Sequence, residues 1–248
     1  MSLGLGHGKP LDPAEGTVGV APDALPPLPD DLLTNPDGAR LDPRDWFEHP
    51  DRPLEIEIGP GKGSFLLAHG AEHPEVNILG IEWMGEVYRY TADRVRRQRE
   101  ANGTLTNARL LRADATAFVK WRVPDAIVTT IHLYYSDPWP KRKHHKNRVV
   151  QHAFLRDAWR ILTPGGQLRV VTDHDQLWVW DRAHFDAWTH PASPESPAER
   201  AGLPDPPFAE QPFDRPAWAT EGTLLGTNYE RKFTGDHHQP HATVLVKR

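Results

Sequence analysis

From Leu54 to Thr172, short apolar runs alternate with helical segments, and a glycine or an acid stands at the end of each run. No other feature constrains the fold as strongly. A strand, a helix and a further strand in that order give parallel neighbours joined by crossover helices. The chain therefore reads as α/β, with a doubly wound, mainly parallel sheet. Leu54-Glu55-Ile56-Glu57-Ile58 alternates and runs into glycines, which marks a strand. Ser64 to Glu72 has helical spacing, with Ser64 as a candidate N-cap. Val76 to Glu82 reads as a strand, Gly85 to Ala101 as a helix with an arginine-rich face, and Ala108 to Arg112 as a short strand. Ala126 to Tyr135 is apolar and β-branched, as a buried central strand would be. A helix is expected over Val149 to Leu162, stopped by Thr163-Pro164-Gly165-Gly166. A strand over Gln167 to Thr172 and a helix over Leu177 to Trp188 follow. Trp178, Trp180 and Trp188 are read as packing residues of that helix. Farther on, Thr227 to Phe233 and His241 to Lys247 read as a C-terminal antiparallel strand pair.

The flanks lack this period. Residues 1–50 are rich in proline, glycine and aspartate and are expected to form an extended or partly disordered arm. Within it, Asp42 to Phe47 is expected to dock through its two aromatics. Residues 51–248 then form one domain. Eight prolines between Pro191 and Pro216 suggest an irregular insertion at about 190–220.

Composition excludes several classes. No apolar run approaches the roughly 18 residues of a spanning helix, and no basic-then-apolar leader is visible. A protein free of membranes and located in the cytoplasm is expected. There is no cysteine, which removes disulfides and thiolate metal sites. The net charge of −5 argues against a nucleic-acid binder only if charge is spread evenly. It is not: Lys141, Arg142, Lys143, Lys146 and Arg148 crowd one stretch, and Arg94, Arg96, Arg97 and Arg99 another.

Three strand ends carry chemistry. Glu57-Ile58-Gly59-Pro60-Gly61-Lys62-Gly63 puts glycines where a ligand must approach the backbone. Position 64 is serine, so the dinucleotide spacing G-x-G-x-x-G fails. The spacing G-x-G-x-G is the form usual in adenosylmethionine enzymes, and an acid beside it can hold an ammonium group. Glu82 can accept from ribose hydroxyls, and Asp114 from an adenine amino group. Each has a plain alternative: a glycine turn without ligand, or an acid that only caps a helix. Tyr135-Ser136-Asp137-Pro138-Trp139-Pro140 is a proline-stiffened loop with an acid and an aromatic. The basic run from Lys141 to Arg148 follows at once. Together they suit an aromatic base on a phosphate backbone, and a solvated charged surface is the alternative. His144-His145 and Asp236-His237-His238 with His241 lack convincing ligand spacing, so no metal is expected.

These motifs, with Thr172-Asp173 and Thr227-Asn228-Tyr229-Glu230, occur in an order that resembles the tRNA (guanine-N7)-methyltransferase family, in its bacterial single-chain form. The resemblance covers roughly residues 54–247. It implies a Rossmann-like class I methyltransferase fold, S-adenosyl-L-methionine as cofactor and tRNA as partner, as monomer or homodimer without an obligatory protein partner. It implies that Glu57, Gly59, Gly61, Gly63, Glu82, Asp114 and Asp137 surround the cofactor, with Asp137 also the catalytic acid. Lys141, Asp173, Thr227, Asn228, Tyr229 and Glu230 would meet the substrate. Lys143, His144, His145, Lys146, Asn147 and Arg148 would meet RNA. The methylated atom would be N7 of the variable-loop guanine, whose lone pair needs no prior proton removal. Val171 departs from the lysine frequent before the family's Thr-Asp, and the arm and insertion are unusual. Two rivals remain. Adenine amino-group enzymes carry the aromatic fourth in an Asp/Asn-Pro-Pro-aromatic motif, whereas Trp139 is third here. A catalytically silent RNA-binding partner on the same fold is the other.

Overall fold

Every residue of the strand Asn77–Ile81 is buried, and Leu54, Ile56, Val128, Ile131 and Leu168 are fully so. Strands covered on both faces belong at the centre of a parallel sheet. The computed structural model describes residues 5, 10–219, 223–226, 230 and 240–248. Among these, β1 (Leu54–Ile58), α1 (Ser64–Glu72), β2 (Asn77–Ile81), α2 (Gly85–Asn102), β3 (Ala108–Leu111) and α3 (Ala115–Trp121) form the first half. The second half comprises β4 (Val128–Tyr134), α4 (His152–Ile161), β5 (Leu162–Thr172), α5 (Asp175–Thr189), β6 (Phe208–Gln211) and β7 (His241–Lys247). The sheet runs β3-β2-β1-β4-β5-β7-β6. Its first five strands are parallel, and β7 runs antiparallel to both β5 and β6. Phe65 and Leu66 of α1 and Tyr88 and Val95 of α2 pack on one face with Ile78 and Leu110. Phe118, Phe154, Phe185 and Trp188 bring α3, α4 and α5 onto the other.

The expected α/β class and antiparallel C-terminal strands are present, with three differences. The partner of β7 on its outer side is β6, from the proline-rich stretch read as irregular. Phe208 of β6 is fully buried against Trp188, so burial outweighs local composition. The strand expected over 227–233 lies, apart from Glu230, outside the described residues. Thr163–Gly166 does not stop α4 before β5 but lies within the span of β5. Leu162 pairs with Val128 and Gln167 with Thr130, so these residues bulge between two paired ends. Ala115–Trp121 is a helix that its short length concealed.

Residues 10–50 are extended but tied down. Val20 N donates to Leu110 O and Leu110 N to Val18 O, at 2.8 and 2.9 Å, which adds a short parallel pairing to the exposed side of β3. Such pairing protects an edge that would otherwise offer unpaired amides. Arg122, buried, donates to Ala39 O and Pro26 O, and Leu41 N donates to Arg122 O. Phe47 is buried and Trp46 lies 6.0 Å from the ring of Phe118, as the Asp42 to Phe47 reading anticipated.

The turn after β1 begins α1 at Ser64, so Gly63, at φ 72°, is the N-cap in place of Ser64. A Cβ at Gly63 would sit 2.5 Å from Thr91 Cγ2 and 2.9 Å from Leu67 Cδ1. Gly63 therefore serves the packing of α1 on α2. Gly63→Ala should lower stability by about 1–3 kcal/mol through overpacking and the left-handed backbone. A denaturant midpoint equal to wild type would refute this role.

Candidate active site

In a parallel sheet all carboxyl ends point to one edge, and ligands bind there at the place where strand order reverses. Here the reversal falls between β1 and β4. The turns after β1, β2, β3, β4 and β5 therefore bring Glu57, Glu82, Asp114, Asp137 and Asp173 to one edge.

Glu57 is 4% exposed, and its Oε2 is buried without a hydrogen-bond partner. Burial, with the charge of Glu82 adding, pushes its carboxyl up to about 8. A carboxylate in this setting is costly until a cation meets it. Beside it, Gly59 and Gly61 have φ of 68° and 54°, and a Cβ at either would touch nothing within 4 Å. The turn thus leaves open space next to an unmatched acid. Glu82 closes the far side. Its Oε1 accepts from Met84 N at 2.9 Å and its Oε2 from Gly61 N at 3.3 Å. Burial pushes Glu82 up against these bonds, and the charge of Asp137 adds to the rise, which puts Asp137 within electrostatic reach. Asp114 does cap a helix: Oδ1 accepts from Thr116 N, Thr116 Oγ1 and Ala117 N. A ligand amino group would have to meet its Oδ2.

The loop after β4 is held under backbone strain. Tyr135 and Trp139 adopt φ of 52° and 42°, in the region bulky side chains disfavour. Two contacts hold it there. Tyr135 Oη donates to Glu230 Oε1 at 2.9 Å, and that carboxylate also accepts from Leu224 N and Leu225 N. Arg148 Nε donates to Pro138 O at 2.9 Å, with its guanidinium 5.1 Å from the ring of Trp180. Asp137, between these anchors, is exposed.

The basic run forms a 3-10 turn over Arg142–Asn147. Lys141, Arg142, Lys143, Lys146 and Asn147 are exposed. His144 stacks on Trp139 at 5.7 Å, and His145 meets Trp180 edge-on at 5.4 Å. Arg148, expected among the RNA contacts, is only 4% exposed and points into the protein as the clamp on Pro138. A run of like charges gave no sign that its last member turns inward. Glu230, expected at the substrate, is buried and props Tyr135. Thr227, Asn228 and Tyr229 lie outside the described residues, and Asp173 follows β5, half-buried. The arginine face of α2 is engaged by the protein itself. Arg96 and Arg97 bind Asp93, Arg94 donates to Lys62 O, and Arg99 to Thr17 O and Leu105 O. Of the histidines weighed for metal, His237 and His238 are outside the described residues, and His241 pairs with Asp175. Glu55, His69 and His132 converge instead, from three elements far apart in sequence. The only hint was polar residues alternating into apolar strands.

A family model described as "Putative methyltransferase" matches residues 51–199. A Rhodospirillum rubrum protein named tRNA (guanine-N(7)-)-methyltransferase is 38% identical over 168 residues, which is 68% of this chain and 63% of that protein. A Streptococcus pyogenes protein of the same name is 33% identical over 157 residues, 63% of this chain and 71% of the relative. A solved structure titled as an antibiotic-related methyltransferase shares the fold, with a TM-score of 0.50 at 15% identity over 90% of this chain and 95% of its own. The chain belongs to the tRNA (guanine-N7)-methyltransferase family.

Behind the clamp, Asp181 on α5 is 1% exposed. Burial pushes its carboxyl up to about 7, with the Arg148 charge opposing. A raised folded value means that the group's contribution to stability is complete below the ordinary value near 4 and is lost as pH rises through 7. Asp181→Asn should therefore gain on wild type between pH 4 and 7 and hold a constant advantage above. Each tenfold change in proton affinity corresponds to about 1.4 kcal/mol, and lost pairing with Arg148 subtracts from the gain. Parallel pH profiles of the two unfolding free energies would show that Asp181 has no such role.

Proposed function

We propose that the chain transfers the methyl group of S-adenosyl-L-methionine to N7 of a guanine in tRNA, the variable-loop guanine being the expected target. The observation that carries this reading is the unmatched, buried Oε2 of Glu57 beside the open turn at Gly59 and Gly61. A ligand with an ammonium group fits there, and the negative site suits a sulfonium. The names borne by the relatives, and the exposed cations beside Asp137, support tRNA as the other substrate. Residues 51–248 would form the catalytic domain and 1–50 an arm, of which residues 10–50 brace against the domain, working in the cytoplasm.

When bound, the cofactor supplies an electrophilic methyl group. Glu57 would neutralise its ammonium, and the free lone pairs of Glu82 would receive its hydroxyls. Oδ2 of Asp114 is the remaining acceptor for an amino group. Asp137 has two tasks. It would accept from guanine N1–H and the exocyclic amine, a pair adenine does not offer. It would also stabilise the positive charge that the purine gains on alkylation, as a carboxylate fixed in place can once the bound base covers it. Tyr135, Glu230 and Arg148 position this loop. Fixing the base in line is a proximity contribution, and it is the main demand of a reaction that needs no proton removal.

Incubation with unmodified tRNA and labelled cofactor, followed by mapping of the product, tests the reading. N7-methylguanine in the variable loop is expected; label on an adenine amino group, or none with cofactor bound, would reject it. Asp137→Asn should slow single-turnover methylation about a hundred- to a thousandfold, a loss of roughly 2.7–4 kcal/mol. A rate within about threefold of wild type, with both ligands saturating, would remove the electrostatic role. Replacing Lys141, Lys143 and Lys146 by Ala should weaken tRNA binding and flatten its log-log salt dependence by about 0.7–0.9 per lost phosphate contact. An unchanged slope would return the run to solvated surface.

A further inference from the structure

Glu55 leaves β1 on the same face as Glu57, one pleat earlier, and lies outside the pocket described above. Its Oε2 accepts from Nε2 of His69 on α1 at 2.8 Å and from Nε2 of His132 on β4 at 2.7 Å. The three donor atoms lie within 4.8 Å of one another. The cluster is sheltered, with side-chain exposures of 13% for Glu55, 13% for His69 and 3% for His132. Phe65 closes it with its ring 4.9 Å from that of His69 and 4.8 Å from that of His132. The remaining nitrogen of His132 meets Tyr134 Oη at 2.7 Å. His69 Nδ1 is buried without a partner.

We propose that Glu55, His69 and His132 form a binding site for a zinc-class divalent transition metal, which staples β1, α1 and β4 together behind the pocket. An ion pair needs one histidine for one carboxylate oxygen. Here two imidazoles aim the same ring nitrogen at one oxygen, so three metal-ligating atoms from three elements crowd together in a sheltered place. A divalent cation resolves that crowding by drawing on all three donors at once. Two imidazole nitrogens and one carboxylate oxygen are a known zinc set, with metal–ligand distances of about 2.0–2.2 Å and a fourth position for water. Imidazole donors disfavour magnesium and calcium, which take oxygen. The N···O separations need to open by only about half an ångström for a tetrahedral site of those bond lengths.

The surroundings agree. Coordination through Nε2 leaves the proton of His132 on Nδ1, and Tyr134 Oη stands ready to accept it. An outer partner of this kind fixes ring orientation in histidine metal sites. The site needs no step of the proposed methyl transfer, and its test does not depend on that reading.

The full chain, freed of metal by chelation, is titrated with zinc chloride in a calorimeter and with cobalt(II) in a spectrophotometer. One equivalent of zinc should bind saturably, and cobalt should give the intense visible bands of a tetrahedral site. His69→Gln and Glu55→Gln should each weaken zinc binding at least tenfold, and Tyr134→Phe about tenfold. His241→Gln, which breaks the separate pair with Asp175, should bind as wild type does. Failure of wild type to bind one equivalent would overturn the site. So would unchanged affinity in both His69→Gln and Glu55→Gln. Circular dichroism checks that the variants fold. If they do not, a rise in wild-type melting temperature with zinc but not magnesium, together with the cobalt spectrum, supports the site, and absence of both rejects it.

Discussion

The parallel pairing of β1 with both β2 and β4 is the constraint from which the rest of the molecule follows. It sends the carboxyl ends of five strands to one edge and opens a crevice where neighbouring crossovers diverge. Parallel neighbours also demand cover on both faces, which accounts for the helix layers and the almost wholly apolar strands. The acids of the site are tolerated because they stand at strand ends, where the apolar layers stop. The two acids inside β1 are the exception.

Glu55 and Glu57 share one strand and one face, yet their surroundings drive them in opposite directions. Glu55 is met by two histidines and stays charged. Glu57 has a buried oxygen with no partner and a second acid nearby, so its proton is held up to about 8. Burial acts on both alike; what differs is whether the protein supplies hydrogen-bond donors to the carboxylate. Under the proposed function, the oxygen of Glu57 left without a partner is the one that the ammonium group of the cofactor would complete.

Much of this was legible in the sequence, and what was hidden was hidden for physical reasons. Alternation in Leu54–Ile58 and the glycines after it located β1 and its turn, because strand period and positive φ act locally. Arg148 stands where the basic run predicts it but faces inward, since a residue's type does not say whether it faces ligand, helix end or protein interior. β6 is hidden in the sequence because eight prolines surround a four-residue strand whose one buried member, Phe208, packs against Trp188 of the preceding helix. The Glu55, His69 and His132 cluster joins residues separated by 14 and 77 positions, a juxtaposition that only the crossover creates. Glu230 reads as a residue for substrate because its neighbours do; in the fold it accepts hydrogen bonds from Tyr135 and from the backbone before it.

The bond from Arg148 to Pro138 joins residues ten positions apart into a closed ring, with the cationic turn on its outer side. A closed ring has a fixed circumference. Side chains on its rim can be exchanged one for another without changing that length, so the pattern of charge along it is free to vary. An inserted or deleted residue cannot be absorbed, because it would pull Pro138, and with it the neighbouring acid, out of line. The clamp thus divides what natural variation can reach: the chemistry of the rim is adjustable, while its span is inherited whole.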